Sequence, residues 1–239
     1  MPTIGPGITI GPGVTATVGP SLPTANLVLQ LDAANSSSYS GSGTTWYDIS
    51  GNNNNATLVN APTFTSSGDL STFTFNGSTQ YAEIPDSASI RPTSGVITVC
   101  CWFNAASAGS INGSILYNKE NEYEASAGGG SVTYAYRPNW AWVGGVAFNT
   151  GTWYFHAVSY NQVQQVQYAN SSAVYTASQT GAIGDVYSNA LRIGARGAPG
   201  GASSFFNGSI PVLLVYNAGL TASTISNIFQ YYKSRYGAV

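Results

Sequence analysis

Charge is what this chain has least of. Asp, Glu, Lys and Arg make up 7% of its 239 residues, against about 25% in an ordinary soluble domain. With a net charge of -2 and no basic run, the sequence offers no phosphate-tracking surface, which excludes nucleic acid and an anionic membrane as partners. The polar surface falls to Ser, Thr, Asn, Gln and Gly, a composition suited to flat, wet contacts. Cysteine is equally scarce. Cys100 and Cys101 are adjacent, so in a strand they point to opposite faces and a bridge between them is strained. They read as small buried hydrophobes, and no disulfide framework exists. A single histidine, His156, excludes a zinc site built from the usual ligands. No Gly-x-Ser-x-Gly elbow accompanies it, so it reads as a satisfied core or groove histidine. No run is long enough to span a bilayer, and the start Met1-Pro2-Thr3-Ile4 lacks the features of an export signal.

What is present is apolar and aromatic: 43% hydrophobic residues, 16 Tyr and 5 Trp. The length suits one large all-β domain with an appendage. Residues 1–25 form the appendage, an arm of near repeats: Thr3-Ile4-Gly5-Pro6-Gly7-Ile8, then Thr9-Ile10-Gly11-Pro12-Gly13-Val14, then Thr17-Val18-Gly19-Pro20-Ser21-Leu22. Pro and Gly at this density exclude a helix. Flexible linkers lack β-branched residues at fixed spacing, which makes Ile4, Gly5, Pro6, Ile8, Ile10, Gly11, Pro12 and Val14 the candidate partner-binding positions, adding to another protein's sheet edge. A flexible linker is the alternative.

From residue 26 to 239 short β-type runs recur between Gly, Asn and Ser clusters: Leu27–Asp32, Ser71–Asn76, Gln80–Ile84, Ile97–Asn104, Ser114–Tyr117, Val132–Tyr136, Trp153–Tyr160, Gln164–Asn170, Leu191–Ile193 and Gly208–Tyr216. Such spacing predicts a sandwich or jelly roll. A hairpin is expected about Asn170-Ser171-Ser172. One helix closes the chain, with Thr221 as N-cap, Leu220 and Ile225 as a staple, and Gly237 as the stop. Ile225, Ile228, Phe229, Tyr232 and Tyr236 share one helical face, which predicts packing against the sandwich.

Several segments resemble laminin-G-like, concanavalin A-like lectin domains of the variety found in structural proteins of tailed phages, notably marine ones. They are Leu27–Asp32, Ser40–Asn52 with its Thr45-Trp46-Tyr47-Asp48-Ile49-Ser50-Gly51-Asn52 core, Phe75-Asn76-Gly77-Ser78 with Tyr81, Ile97–Phe103, Pro138-Asn139-Trp140-Ala141-Trp142, Leu191–Gly197, Phe205–Ile210 and the closing helix. The resemblance covers about residues 26 to 237. It implies an all-β, concanavalin A-like jelly-roll sandwich with a C-terminal α-helix and an extended N-terminal arm. The arm also resembles the start of marine phage virion proteins. Together with the missing export signal it implies a non-enzymatic subunit on the exterior of the virion, docked through its arm to other virion proteins. A homo-oligomer or symmetric array is the expected assembly. Calcium, which such domains often bind through acidic side chains, is not supported by five Asp and four Glu, and no cofactor is expected.

Two constellations are candidates for chemistry. Lys119-Glu120-Asn121-Glu122-Tyr123-Glu124 holds three of the four glutamates. Read as a strand, it places Glu120, Glu122 and Glu124 on one face, about 7 Å apart. Jelly-roll endo-glucanases of the laminarinase type carry E-x-D-x-E, which would make Glu120 nucleophile, Glu122 helper and Glu124 acid. The middle Glu departs from that pattern, and the favoured reading is a solvent-facing polar strand. The second constellation is aromatic: Tyr136, Asn139, Trp140 and Trp142 are the candidate glycan-binding residues. Trp140 and Trp142 are placed on one strand face, with core packing the favoured reading and a stacking platform for cell-surface polysaccharide the alternative. Asn35, Asn55, Asn76, Asn112, Asn170 and Asn207 lie in N-x-[ST] sequons and read as turn residues.

Overall fold

The computed structural model describes residues 19–183, 187–198 and 201–237; the arm positions from Ile4 to Val14 lie outside them. In chain order the strands are β1 (Leu27–Asp32), β2 (Thr45–Trp46), β3 (Ala56–Val59), β4 (Thr63–Thr65), β5 (Thr72–Asn76), β6 (Tyr81–Ile84), β7 (Ile97–Ala105), β8 (Ile115–Lys119) and β9 (Tyr123–Gly128). There follow β10 (Ser131–Tyr136), β11 (Val143–Ala147), β12 (Trp153–Tyr160), β13 (Gln164–Ala169), β14 (Ser172–Ser178), β15 (Leu191–Ile193), β16 (Arg196–Ala198), β17 (Gly201–Ser203) and β18 (Asn207–Tyr216). The helix α1 spans Ala222–Tyr236.

Two antiparallel sheets face each other. The first runs β14-β13-β12-β7-β18-β5-β4, with β1 also paired to β18; the second runs β11-β10-β9-β8-β15-β6-β3-β2. A separate hairpin, β16–β17, completes the fold. Alternation along each strand divides its side chains between layers. On β7, Ile97, Val99, Cys101 and Phe103 enter the core between the sheets, whereas Cys100 and Trp102 face the opposite way. Both faces of β7 are covered, which is why its sequence is almost continuously apolar. The two cysteines are buried and free, and burial raises both thiols.

The outer face of the first sheet is covered by α1. Thr221 caps it, its hydroxyl accepting from Thr224 N, and Gly237 ends it at φ 55. The expected stripe of Ile225, Ile228, Phe229, Tyr232 and Tyr236 is the buried one, each side chain contributing about 1.5–3 kcal/mol. Trp102 is its floor, stacked on Phe229 at 5.6 Å and 5.0 Å from Tyr236. Arg235 in the last turn bonds Asp32 on β1 at 2.7 Å. Among the described residues no helix is long and apolar enough to cross a membrane.

Two local readings of the sequence are corrected. Lys119 to Glu124 is no strand: Glu120, Asn121 and Glu122 are the turn joining β8 to β9, with Asn121 at φ 65, a conformation asparagine tolerates well. Trp140 and Trp142 lie in the loop between β10 and β11, after a cis Arg137–Pro138 bond. They are half-buried and absent from the core. Further strands, β3 and β11 among them, escaped the sequence reading. β11 carries Gly144 and Gly145, which weaken any strand signal.

Candidate functional site

With the outer face of the first sheet occupied by α1, the outer face of the second carries the unusual chemistry. Strand register sets a polar row across it: Glu83 on β6 is opposite Arg192 on β15, Arg192 opposite Asn118 on β8, and Asn118 opposite Glu124 on β9. Arg192 Nε donates to Glu83 Oε2 at 2.7 Å. Asn118 Nδ2 donates to Glu124 Oε2 at 2.9 Å and to Glu120 Oε2 at 3.2 Å.

The β16–β17 hairpin lies on this row. Gly197 N donates to Asn118 Oδ1 at 2.7 Å, and Arg196 forks onto both Glu124 oxygens at 3.0 and 3.3 Å. A Cβ on Gly197 would sit 3.2 Å from Arg192 Nη1, a tight contact at the close approach of the hairpin to this row. Burial raises the Glu124 carboxyl, and the facing Arg196 opposes that shift.

One step along the strands the pleat reverses, and Lys119 points inward. It is fully buried, with Nζ at 3.0 Å from both Asp86 and Glu122. Nζ also donates to the carbonyls of Tyr187 and Asn189, and this pins that segment to the sheet. Arg91 bonds Asp86 from the other side. The Arg91 hydrogen bond, followed by Lys119, holds the Asp86 carboxyl below its ordinary value.

Between the Glu120–Glu122 turn, the Tyr187–Ala190 segment and the hairpin a cleft of about 320 Å³ opens, lined by Glu120, Asn121, Tyr187, Asn189, Ala190, Arg192 and Gly197. Tyr187 is the ring in its lining, 5.8 Å from Arg137; beyond the lining, Tyr81 lies 5.2 Å from Arg192 and Trp142 5.5 Å from Arg196 on the same face. Such contacts hold rings in place while leaving a second face available.

The candidates from the sequence separate accordingly. Glu122 and Glu124 are not solvent-facing; both are buried and held by cations, and only Glu120 reaches the cleft. Trp142 belongs to this face through Arg196, and exposed Asn139 and half-buried Trp140 share its loop. Tyr136 does not belong: it is fully buried, and its hydroxyl bonds that of Tyr117 at 2.8 Å inside the core. Arg192, Arg196, Tyr187 and Asn189 went unrecognised, because their segment is remote in sequence from the Glu120 turn that it faces.

His156 lies buried between the sheets, 3.0 Å from Gln167 Nε2. Burial lowers it to about 3. Among the described residues no three His, Cys, Asp or Glu side chains group as a metal site. Asp48, in the loop after β2, accepts instead from Gln30 N, Ser50 N, Ser50 Oγ and Asn54 N.

A family model of the concanavalin A-like lectin/glucanases superfamily matches residues 76–226. The chain belongs to that family. No curated protein matches this lectin/glucanase-type chain by sequence. Solved structures share its fold. The binding domain of Paraclostridial Mosquitocidal Protein 1 aligns with a TM-score of 0.66 at 15% identity, over 89% of this chain and 55% of that one. The binding domain of botulinum neurotoxin DC, solved with SialylT, gives 0.66 at 10% identity over 87% and 52%. Domain 4 of AbnA, a GH43 extracellular arabinanase from Geobacillus stearothermophilus solved with arabinotriose, gives 0.65 at 16% over 85% and 98%. The chain thus spans about half of the toxin chains and nearly all of the arabinanase domain; at these identities the likeness is one of fold.

Proposed function

We propose that this protein is a non-catalytic glycan-binding domain that works through the cleft on the outer face of its second sheet. The observation that carries the reading is the cleft itself, where two asparagines, a carboxylate and an arginine converge beside the Tyr187 ring, with Trp142 and Tyr81 on the same face. Rings stack on the apolar faces of sugars while amides and carboxylates take up hydroxyl groups, an arrangement of ordinary type for small polar ligands. The arabinanase domain, solved with arabinotriose, supports the reading by likeness.

Against hydrolysis stands the state of the carboxylates. Glycoside hydrolysis uses a pair of carboxyl groups flanking the bond, and here Glu122 and Glu124 are tied to Lys119 and Arg196. A glycan array probed with the full chain, together with a reducing-sugar assay, tests this. Binding that Trp142→Ala or Asn189→Ala abolishes, without sugar release, is expected. Sugar release that Glu120→Gln stops would establish a glycosidase.

The arm repeats favour a second, compatible role. They support attachment to the exterior of a tailed-phage particle, with the sandwich displayed outward as a decoration, fibre or appendage subunit in a symmetric array. Removing residues 1–22 is then expected to abolish incorporation into particles and leave the domain folded; undiminished incorporation would end the arm reading.

A further inference from the structure

The charges around the cleft point to what kind of glycan it takes. We infer that the cleft selects uncharged oligosaccharides and rejects those carrying carboxylate or sulfate groups; this rests on the glycan-binding reading above.

On this face the cations are committed. Lys119 is fully buried and surrounded by Asp86, Glu122 and two carbonyls. Arg196 is forked onto Glu124 and donates also to Asn112 O. Arg192, the one cation that lines the cleft among the described residues, is balanced by Glu83 and holds the carbonyls of Arg196 and Gly201. Arg137 is absent from the lining; its Nε donates to Asn121 O, with its guanidinium beside the Tyr187 ring.

Glu120 differs from its neighbours. It is half-buried in the turn, lines the cleft, and has no cation partner among the described residues, only the Asn118 amide. An ionised carboxylate only accepts hydrogen bonds. It therefore suits a pair of sugar hydroxyls, the strong charge-assisted case. A sugar carboxylate brings no donor of its own to that point and meets a like charge in a partly desolvated site, where the lower local dielectric strengthens the repulsion. Among the described residues that line the cleft, Glu120 is the charge without a counter-ion, so the lining discriminates by sign.

The test compares matched probes on the full chain: lactose with sialyllactose, and α-1,4-galactotriose with trigalacturonic acid. The neutral member of a pair is expected to bind at least tenfold more tightly at low salt, with the gap narrowing in 1 M NaCl. Glu120→Gln keeps the shape and removes the charge, and it should bring the acidic member to within about threefold of the neutral one. Equal or tighter binding of the acidic sugars by the parent protein would overturn the inference and leave the glycan-binding reading standing. So would discrimination that survives both Glu120→Gln and high salt. No binding of any probe, or neutral-sugar binding that Trp142→Ala and Asn189→Ala leave intact, would overturn the placement of the site and the inference with it.

Discussion

Replacing Lys119 by methionine is the sharpest perturbation of this protein. Its ammonium is fully buried, 3.0 Å from both Asp86 and Glu122, and methionine keeps the length of the side chain while removing the charge. Two carboxylates then remain beside one another, with Arg91 still bonded to Asp86. Breaking a buried ion pair by deleting one partner costs about 3–5 kcal/mol, because the charge left behind is uncompensated. At roughly 2–4 °C per kcal/mol for a chain of this size, the melting midpoint falls by roughly 10 °C. Urea unfolding followed by tryptophan fluorescence reads the same loss as a lower midpoint at unchanged slope. Charge balance and packing separate in a triple variant. Lys119→Met combined with Asp86→Asn and Glu122→Gln removes the stranded charges and is expected to recover more than half of the loss. A single variant within about 1 kcal/mol of the parent would refute the reasoning, as would a triple variant no better than the single one; either would mean that packing, and not charge balance, holds the Tyr187–Ala190 segment to the sheet.

Four further outcomes follow from the same coordinates. His156, lowered to about 3 by burial, stays neutral in the fold while the unfolded chain binds a proton below about 6.5; stability therefore falls as pH drops from about 6.5 toward 3, by up to about 1.4 kcal/mol per unit, and His156→Gln should flatten that limb of the denaturation profile. Asp86, held below its ordinary value by Arg91 and Lys119, contributes stability that is present above about 4 and lost as pH falls further; Asp86→Asn should abolish that lower limb in acid titration monitored by circular dichroism. Trp102→Ala removes the floor under α1 and should cost about 3–5 kcal/mol, seen as a lowered denaturation midpoint. Gly208→Ala would put a Cβ 2.3 Å from the Asn104 carbonyl at φ 150, forcing β18 off β7, and is expected to cost at least about 1–3 kcal/mol in the same assay.

The fold was largely legible because its signals are local. Alternation in Trp153–Tyr160, the helical spacing from Ile225 to Tyr236 and the Asn170 turn each express one element's own geometry, and each appears in the structure where the residues put it. The candidate site was legible only in fragments. Glu120 and Trp142 stand out by residue type, but a period-two reading of Glu120, Glu122 and Glu124 assigned all three to one face. In the structure a positive-φ asparagine turns the chain there and sends them to different surroundings. Nothing local marks Tyr136 as core and Trp140 as half-exposed, since strand and loop tryptophans and tyrosines share one composition.

By itself, then, the sequence determined an all-β sandwich with one covering helix, a polar surface built mostly from uncharged residues, and a family membership that residues 76–226 carry. Tertiary structure alone decided where its few charges go. Glu83, Arg192 and the Asn118–Glu124 pair of the β8–β9 hairpin come from three places far apart in the chain and meet only because cross-strand register places them in one row. Register is set by the pairing of whole sheets, a non-local property that no window of sequence contains.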